Sequence, residues 1–187
     1  CELIVDQLHV VHKVAGQVEV VPTSAKSLDG LNIQGHIRSS AAAFLSRKVI
    51  VCEGATEVGF LRGLDNHWVA GGLDPLSYIG AVLLDAESAS KVKSLALGFK
   101  ALHYDVFAVA DGDAHKDFSP QDAQDLNDSG VEVLMWSDQL ALEQRAMLDL
   151  PWESVLASVK LAHEFGFPVH DNVRSKLGAA LDADFSA

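Results

Sequence analysis

The fold follows from one segment, Lys48-Val49-Ile50-Val51-Cys52-Glu53-Gly54-Ala55-Thr56-Glu57-Val58-Gly59-Phe60-Leu61. It is an apolar run that ends on a carboxylate, a glycine turn and a second carboxylate. A second apolar run, residues 104–110, ends in the same way at Asp111-Gly112-Asp113. Near-continuous apolar runs are typical of strands that are buried on both faces of a parallel sheet. We therefore expect two core strands that each end in acidic residues.

Strand-like and helix-like segments alternate along the chain after residue 47. Strands are predicted at residues 49–52, 79–84, 106–110 and 131–136, and helices between them at 56–68, 91–102 and 120–127. This order implies a parallel sheet with right-handed crossovers. The expected fold class is α/β, with a mostly parallel four-stranded sheet flanked by helices.

The segments on either side of this frame add a hairpin and more helices. Residues 7–21 alternate in polarity around Gly16 and predict a β-hairpin that Pro22 ends. Helices are predicted at residues 39–47, 139–148, 152–165 and 171–181. Because the chain opens with Cys1 rather than methionine, we expect a fragment of a longer protein. The expected division is residues 1–33 as the end of a preceding domain and a linker, 34–138 as the α/β domain, and 139–187 as a helical appendage.

Composition and charge restrict the class of protein. The 187 residues are 49% hydrophobic and 21% charged, which is ordinary for a globular chain. The net charge of −12 argues against a strongly basic nucleic-acid binder, since Lys and Arg supply most of that affinity. Cys1 and Cys52 give neither a disulfide framework nor zinc spacing. No apolar stretch reaches the roughly 18 residues of a membrane span, and no export signal is present, so a cytoplasmic protein without a membrane partner is expected.

Four carboxylates follow the two core strands: Glu53, Glu57, Asp111 and Asp113. Ligands of open parallel sheets bind outside the carboxyl ends of the strands, where these side chains would share a crevice. If a helix begins near Thr56, Glu53 and Glu57 lie one turn apart and reach a common point. Hard oxygen donors suit Mg²⁺ or Mn²⁺ better than zinc, and a cation would relieve the repulsion between unpaired carboxylates. The sequence therefore predicts a divalent metal site, with Asp85 and Asp138 at two further strand ends as reserve ligands.

The order of these motifs resembles the TOPRIM domain shared by topoisomerases, primases and some nucleases. In that domain an apolar strand leads into Glu-Gly-x-Thr-Glu, and a later apolar strand leads into Asp-x-Asp; the resemblance covers residues 48–138. Within this group, residues 51–59 are most similar to the OLD-family (overcoming lysogenization defect) nucleases, class 2, whose partner is a UvrD-like helicase. In that family an ABC-type ATPase domain comes first, and residues 1–21 are similar to the strands that close it.

The resemblance implies a DNA endonuclease that nicks or cuts DNA with two Mg²⁺ or Mn²⁺ ions. One ion would lower the pKa of a bound water for attack on phosphorus, and the other would stabilise the leaving oxygen. The implied partners are DNA, the N-terminal ATPase domain and a UvrD-like helicase. Carried over residue by residue, the implied metal ligands are Glu53, Glu57, Asp111, Asp113 and, after the fourth strand, Glu143. The implied catalytic residues are Glu53, Asp111, Asp113 and a late lysine, which is either Lys176 or a residue beyond Ala187.

Simpler interpretations and other classes of protein remain open. Glu-Gly-x-Thr-Glu is compatible with an ordinary helix start, with Thr56 as the cap and Glu57 favoured by the helix dipole, and Asp-Gly-Asp with a turn. The alternatives are another TOPRIM enzyme, primase- or topoisomerase-like, and a non-catalytic α/β domain such as a phosphoacceptor receiver. Tyr78 and Tyr104 fall within predicted core segments, which disfavours a tyrosine nucleophile. Receivers place their acidic pair after the first strand, whereas Asp-x-Asp here follows the third.

Overall fold

The computed structural model describes residues 7–23, 40–113, 116–136 and 138–166. The chain divides into two compact units, residues 1–142 and residues 143–187. The helix predicted at residues 171–181, which includes Lys176, lies outside the described residues. Within the described part, no helix is long and apolar enough to cross a membrane.

The first unit combines a hairpin with an α/β sheet. Its strands are β1 (His9–Val14), β2 (Gln17–Pro22), β3 (Lys48–Cys52), β4 (Ala81–Asp85), β5 (Asp105–Ala110) and β6 (Glu132–Met135), and its helices are α1 (Ala41–Leu45), α2 (Ala55–Ala70), α3 (Ala89–Ala101) and α4 (Pro120–Asp128). Each corresponds to a predicted element, with boundaries that differ by a few residues. The predicted α/β class and the hairpin are therefore confirmed.

The four strands β3 to β6 form one sheet in the order β4-β3-β5-β6, and every neighbouring pair is parallel. The expected mostly parallel sheet is thus fully parallel. In the register, Cys52 at the end of β3 lies opposite Asp85 on one side and Val109 on the other. The chain leaves β3 toward β4 and then crosses back over β3 to reach β5. The direction of winding therefore reverses between β3 and β5, and this switch point is where open α/β sheets bind ligands.

Helices cover the two faces of the sheet unequally. Right-handed crossovers in opposite directions place α2 on one face and α3 with α4 on the other. Helix α3 contacts β3, β5 and α4, and α2 contacts β3 and β4. The ring of Phe99 on α3 lies 5.0 Å from that of Phe44 and 5.3 Å from that of Tyr104. The buried core is therefore concentrated on the α3 face, where Val92, Leu95 and Phe99 are almost fully buried.

The β1–β2 hairpin packs against this core rather than standing apart from it. Leu8, Val10 and Val21 are partly buried against the core cluster. Thr23 is fully buried and donates a side-chain hydrogen bond to the Leu8 carbonyl at 3.0 Å. Residues 1–142 therefore form one compact unit. That residues 1–33 end a preceding domain stays a prediction.

The second unit is helical where the structure describes it. Helix α5 (Leu142–Asp149) begins at the end of the first unit, and α6 (Trp152–Glu164) follows it. Arg145 and Asp149 form an ion pair one turn apart at 2.6 Å. No residue of α6 is buried. The helices predicted at 139–148 and 152–165 are confirmed.

Candidate metal centre

The ends of the two central strands are joined through their acidic residues. The backbone N–H of Glu53, directly after β3, donates to the Val109 carbonyl on β5 at 3.0 Å. The backbone N–H of Asp111, directly after β5, donates to Oε2 of Glu53 at 3.0 Å. Because β3 and β5 are parallel neighbours, Glu53 and Asp111 meet at the switch point of the sheet. The predicted convergence of these two strand ends is observed.

Glu57 lies in the first turn of α2 and is almost fully buried, with 3% of its surface exposed. Its Oε2 accepts a hydrogen bond from the Gly54 backbone N–H at 2.7 Å. Gly54 occupies the cap position, and Thr56 is the second residue of the helix rather than its cap. The helix start is therefore one that a carboxylate at this position stabilises. The same hydrogen bond holds the Glu57 carboxylate against Gly54, which lies two residues after the end of β3.

Asp111 is 9% exposed and is held by donors from the loop that follows β6 and from the first residue of α5. Its Oδ1 accepts hydrogen bonds from the Trp136 indole Nε1 at 3.3 Å and from the Leu142 backbone N–H at 3.1 Å. At Gly112, the backbone N–H donates to the Leu140 carbonyl at 3.0 Å. A Cβ at position 112 would lie 2.7 Å from the Trp136 carbonyl oxygen, which leaves room for glycine alone. The glycine of Asp-Gly-Asp thus permits the close approach of two loops.

We call Glu53, Glu57, Asp111 and Asp113 the acidic cluster. Burial raises the pKa of Glu53, and the charges of Asp111, Asp113 and Asp117 raise it further, against the opposing effect of the Asp111 N–H. Burial also raises the pKa of Glu57, with the charges of Asp111 and Glu53 adding to it and the N–H groups of Glu57 and Gly54 opposing it. Burial is thus the largest cause of both pKa shifts, and repulsion from neighbouring carboxylates adds to it.

The sequence did not single out Asp117, a further acidic residue of this environment. It is exposed in the loop after β5, and its charge raises the pKa of Glu53. Because Asp117 lies in a polar loop without periodicity, only its nearness in sequence to Asp113 could have suggested it.

The chemistry of the donor set fits a hard divalent cation, since all four members of the acidic cluster offer carboxylate oxygens. The side chains are not gathered as a complete coordination shell: among the described residues, no three His, Cys, Asp or Glu side chains lie close enough to hold a metal ion. Oxygens of Glu53, Glu57 and Asp111 instead accept hydrogen bonds from N–H groups. Cation binding would require some of these side chains to turn.

The remaining predicted site residues are Asp85, Asp138, Glu143 and Lys176. Oδ1 of Asp85, at the end of β4, accepts a hydrogen bond from the Glu87 N–H at 2.6 Å and so stabilises the turn that follows β4. Asp138 is exposed in the loop after β6. Glu143 is an exposed residue in the first turn of α5 and belongs to the second unit. Lys176 lies outside the described residues, so its role stays a prediction.

Cys52, the last residue of β3, does not offer a soft ligand or a nucleophile. It is fully buried, and burial, followed by the charges of Glu57 and Asp85, raises the pKa of its thiol to about 12. The thiol is therefore protonated at neutral pH, whereas metal binding and nucleophilic attack need the thiolate. The chemistry available at this strand end is that of carboxylates.

An apolar groove of about 340 Å³ is a separate feature of the sheet. Its lining includes Ile50 of β3, Leu61 of α2, Phe107 of β5 and Leu134 of β6. No member of the acidic cluster lines it. The groove therefore does not belong to the candidate metal centre.

No protein-family model and no curated protein matches this chain. The TOPRIM and OLD-family resemblance therefore stays a prediction from the sequence motifs. The structure shows the α/β fold with a four-stranded parallel sheet.

Proposed function

We propose that this chain carries the catalytic domain of a divalent-cation-dependent DNA endonuclease of the TOPRIM type, similar to OLD-family nucleases. The observation that supports it most is the hydrogen bond from the Asp111 N–H to Oε2 of Glu53. It joins the acidic ends of two neighbouring parallel strands at the switch point of the sheet, where ligands of such sheets bind. The reaction proposed is hydrolysis of a phosphodiester bond.

In this proposal the acidic cluster holds two Mg²⁺ or Mn²⁺ ions. When bound, such ions activate water and stabilise a leaving oxygen in phosphodiester hydrolysis. Burial raises the pKa values of Glu53 and Glu57 most, and the charges of neighbouring acidic residues raise them further. Divalent cations would remove that repulsion, and phosphate oxygens could then approach an otherwise acidic surface. The resemblance alone adds Glu143 to the proposal as a further metal ligand and Lys176 as a further catalytic residue.

The proposed substrate is DNA, and the proposed partners are an N-terminal ATPase domain and a UvrD-like helicase. The net charge of −12 makes unaided DNA affinity weak in this proposal. Cations at the acidic cluster and the partner domains would supply the attraction that the chain's own Lys and Arg residues do not. The cleavage expected of this chain alone is therefore slow.

A plasmid assay tests the proposal. Supercoiled plasmid is incubated with the chain and Mn²⁺ or Mg²⁺, and nicked and linear products are measured on a gel. The wild-type chain should nick the plasmid, and Asp111→Asn and Glu53→Gln should each reduce the rate about 100-fold, since each removes a proposed ligand of the ions that would stabilise the transition-state charge.

Asp105→Asn is the matched control, because Asp105 is an exposed acid at the opposite end of the same strand β5. It should leave the rate unchanged. Equal nicking by wild type, Asp111→Asn and Glu53→Gln would contradict the proposal and indicate a contaminating nuclease.

A phosphoacceptor receiver is the second candidate, favoured by one observation. The sheet order, numbered within the sheet as 2-1-3-4, begins like the flavodoxin-type order that receivers share. In that case Asp111, after the third strand, would accept a phosphoryl group. Acetyl phosphate with Mg²⁺ would then label Asp111, detected as a mass increase that Asp111→Asn removes, whereas the nuclease proposal expects no label.

A topoisomerase-like mechanism needs a tyrosine nucleophile, and neither candidate is well placed. The Tyr104 hydroxyl is buried and donates to the Phe44 carbonyl at 2.8 Å. The expectation that Tyr78 lies within the core is wrong, because it is 74% exposed in the turn before β4. That turn enters β4 at its amino end, whereas the acidic cluster follows the carboxyl ends of β3 and β5. Tyr78 therefore lies at the amino ends of the strands, whereas the acidic cluster lies at their carboxyl ends.

A further inference from the structure

Trp136 is the first residue after β6, and its side chain reaches the acidic cluster. The indole Nε1 donates to Oδ1 of Asp111 at 3.3 Å. The Leu142 backbone N–H donates to the same oxygen at 3.1 Å. Two donors of different origin, one side chain and one backbone, thus act on one carboxylate oxygen.

The backbone around Trp136 is also fastened to the loop that carries Asp111. The Gly112 N–H donates to the Leu140 carbonyl at 3.0 Å. A Cβ at position 112 would meet the Trp136 carbonyl oxygen at 2.7 Å and the Leu140 nitrogen at 3.2 Å. These backbone contacts hold the loop of Trp136 against the loop of Asp111. The indole N–H can therefore set the orientation of the Asp111 carboxylate.

We propose that Trp136 is a positioning residue for a divalent cation bound at Asp111. This inference rests on the proposed function. Groups that donate hydrogen bonds to a ligating carboxylate fix its orientation, and their loss commonly lowers metal affinity about 10- to 100-fold. Trp136 offers one donor and cannot compete as a ligand, because an indole N–H donates only. Its role is to hold the carboxylate of Asp111 in one orientation.

The first experiment measures Mn²⁺ affinity by isothermal titration calorimetry on the whole chain. Trp136→Phe keeps an aromatic ring but removes the N–H donor, and it should weaken Mn²⁺ binding about tenfold. Trp68→Phe is the matched control, because Trp68 lies on α2 and is 40% exposed. It should bind Mn²⁺ as the wild type does. Circular dichroism of the cation-free variants shows whether both are folded.

The second experiment does not depend on the folding of Trp136→Phe. The chain has three tryptophans, so the double variant Trp68→Phe with Trp152→Phe leaves Trp136 as the sole indole fluorophore. Mg²⁺ should change its emission with the same midpoint that calorimetry gives for Mg²⁺ in that variant. Adding Asp111→Asn to this variant should abolish the change. A role in folding alone predicts no emission change on Mg²⁺ binding.

The outcomes separate the two proposals. If the wild-type chain binds neither Mn²⁺ nor Mg²⁺, the proposed function fails and the role of Trp136 fails with it. If the wild type binds Mn²⁺ and Trp136→Phe binds it within twofold as tightly, only the role of Trp136 is overturned. Saturating Mg²⁺ that releases heat but leaves Trp136 emission unchanged would overturn it as well.

Discussion

Glu57 is a helix-capping residue and a member of the acidic cluster at once. The Gly54 N–H bonds to its carboxylate, which favours the ionised form, while burial and the charges of Asp111 and Glu53 oppose ionisation. The net effect raises its pKa, so in the cation-free protein the ionised side chain costs stability. A cation would reverse that cost, because it favours the charged form.

Replacing Glu57 tests this balance through the dependence of stability on pH. Since the folded-state pKa lies above the ordinary value of 4.5, the stabilising contribution of Glu57 is complete below pH 4.5 and is lost as pH rises through the folded pKa. Glu57→Gln keeps an acceptor for the Gly54 N–H but carries no charge. Without divalent cations it should be more stable than the wild type at pH 8 and close to it at pH 4.5, measured by urea unfolding.

Glu153→Gln serves as the control for Glu57→Gln, because Glu153 is an exposed acid in the first turn of α6. Its stability should follow that of the wild type at both pH values. A Glu57→Gln variant that is less stable than the wild type at pH 8, but equal to it at pH 4.5, would contradict the assigned sign.

At the scale of elements, the sequence could predict which strands end in acid but not what surrounds those ends. Apolar runs predicted β3 and β5 correctly, and parallel pairing then brought Glu53 and Asp111 together. The contacts of Asp111 with Trp136 and Leu142 could not be predicted, because they join residues distant in sequence through an irregular loop. Periodicity reports which face of an element is buried, and loops have no such period.

The loop after β5 and the loop after β6 approach each other closely at Gly112. Gly112→Ala places a Cβ against the Trp136 carbonyl oxygen and the backbone nitrogens of Gln139 and Leu140. It should therefore lower the free energy of unfolding by about 1–3 kcal/mol. Because the loops must separate, it should also weaken Mn²⁺ binding. Urea unfolding and calorimetry measure the two effects.

Gly59→Ala is the matched control. Gly59 lies in α2 with nothing within 4 Å of its would-be Cβ, so alanine should stabilise the chain by roughly 0.5–1 kcal/mol through its helix propensity. If Gly112→Ala were as stable as the wild type, the close approach of these loops would be wrong.

At the scale of the whole molecule, the order of the strands gives the acidic cluster its place. The α/β alternation could be predicted from sequence, but the order β4-β3-β5-β6 could not, because alternation fixes crossover handedness and not which side of β3 the next strand joins. Because the direction of winding reverses between β3 and β5, Glu53 and Asp111 lie at the switch point, where open α/β sheets bind ligands. The hairpin belongs to the same unit, and its His12 ring lies 5.1 Å from that of His103, which precedes the amino end of β5.

The most direct measurement is anomalous diffraction from crystals of the chain grown or soaked with saturating Mn²⁺. We expect an anomalous peak in contact with the carboxylates of Glu53 and Asp111, with the side chain of Glu57 or Asp113 turned toward it. Density for Mn²⁺ only elsewhere on the molecule, or none at all, would contradict the metal centre and the proposed nuclease with it.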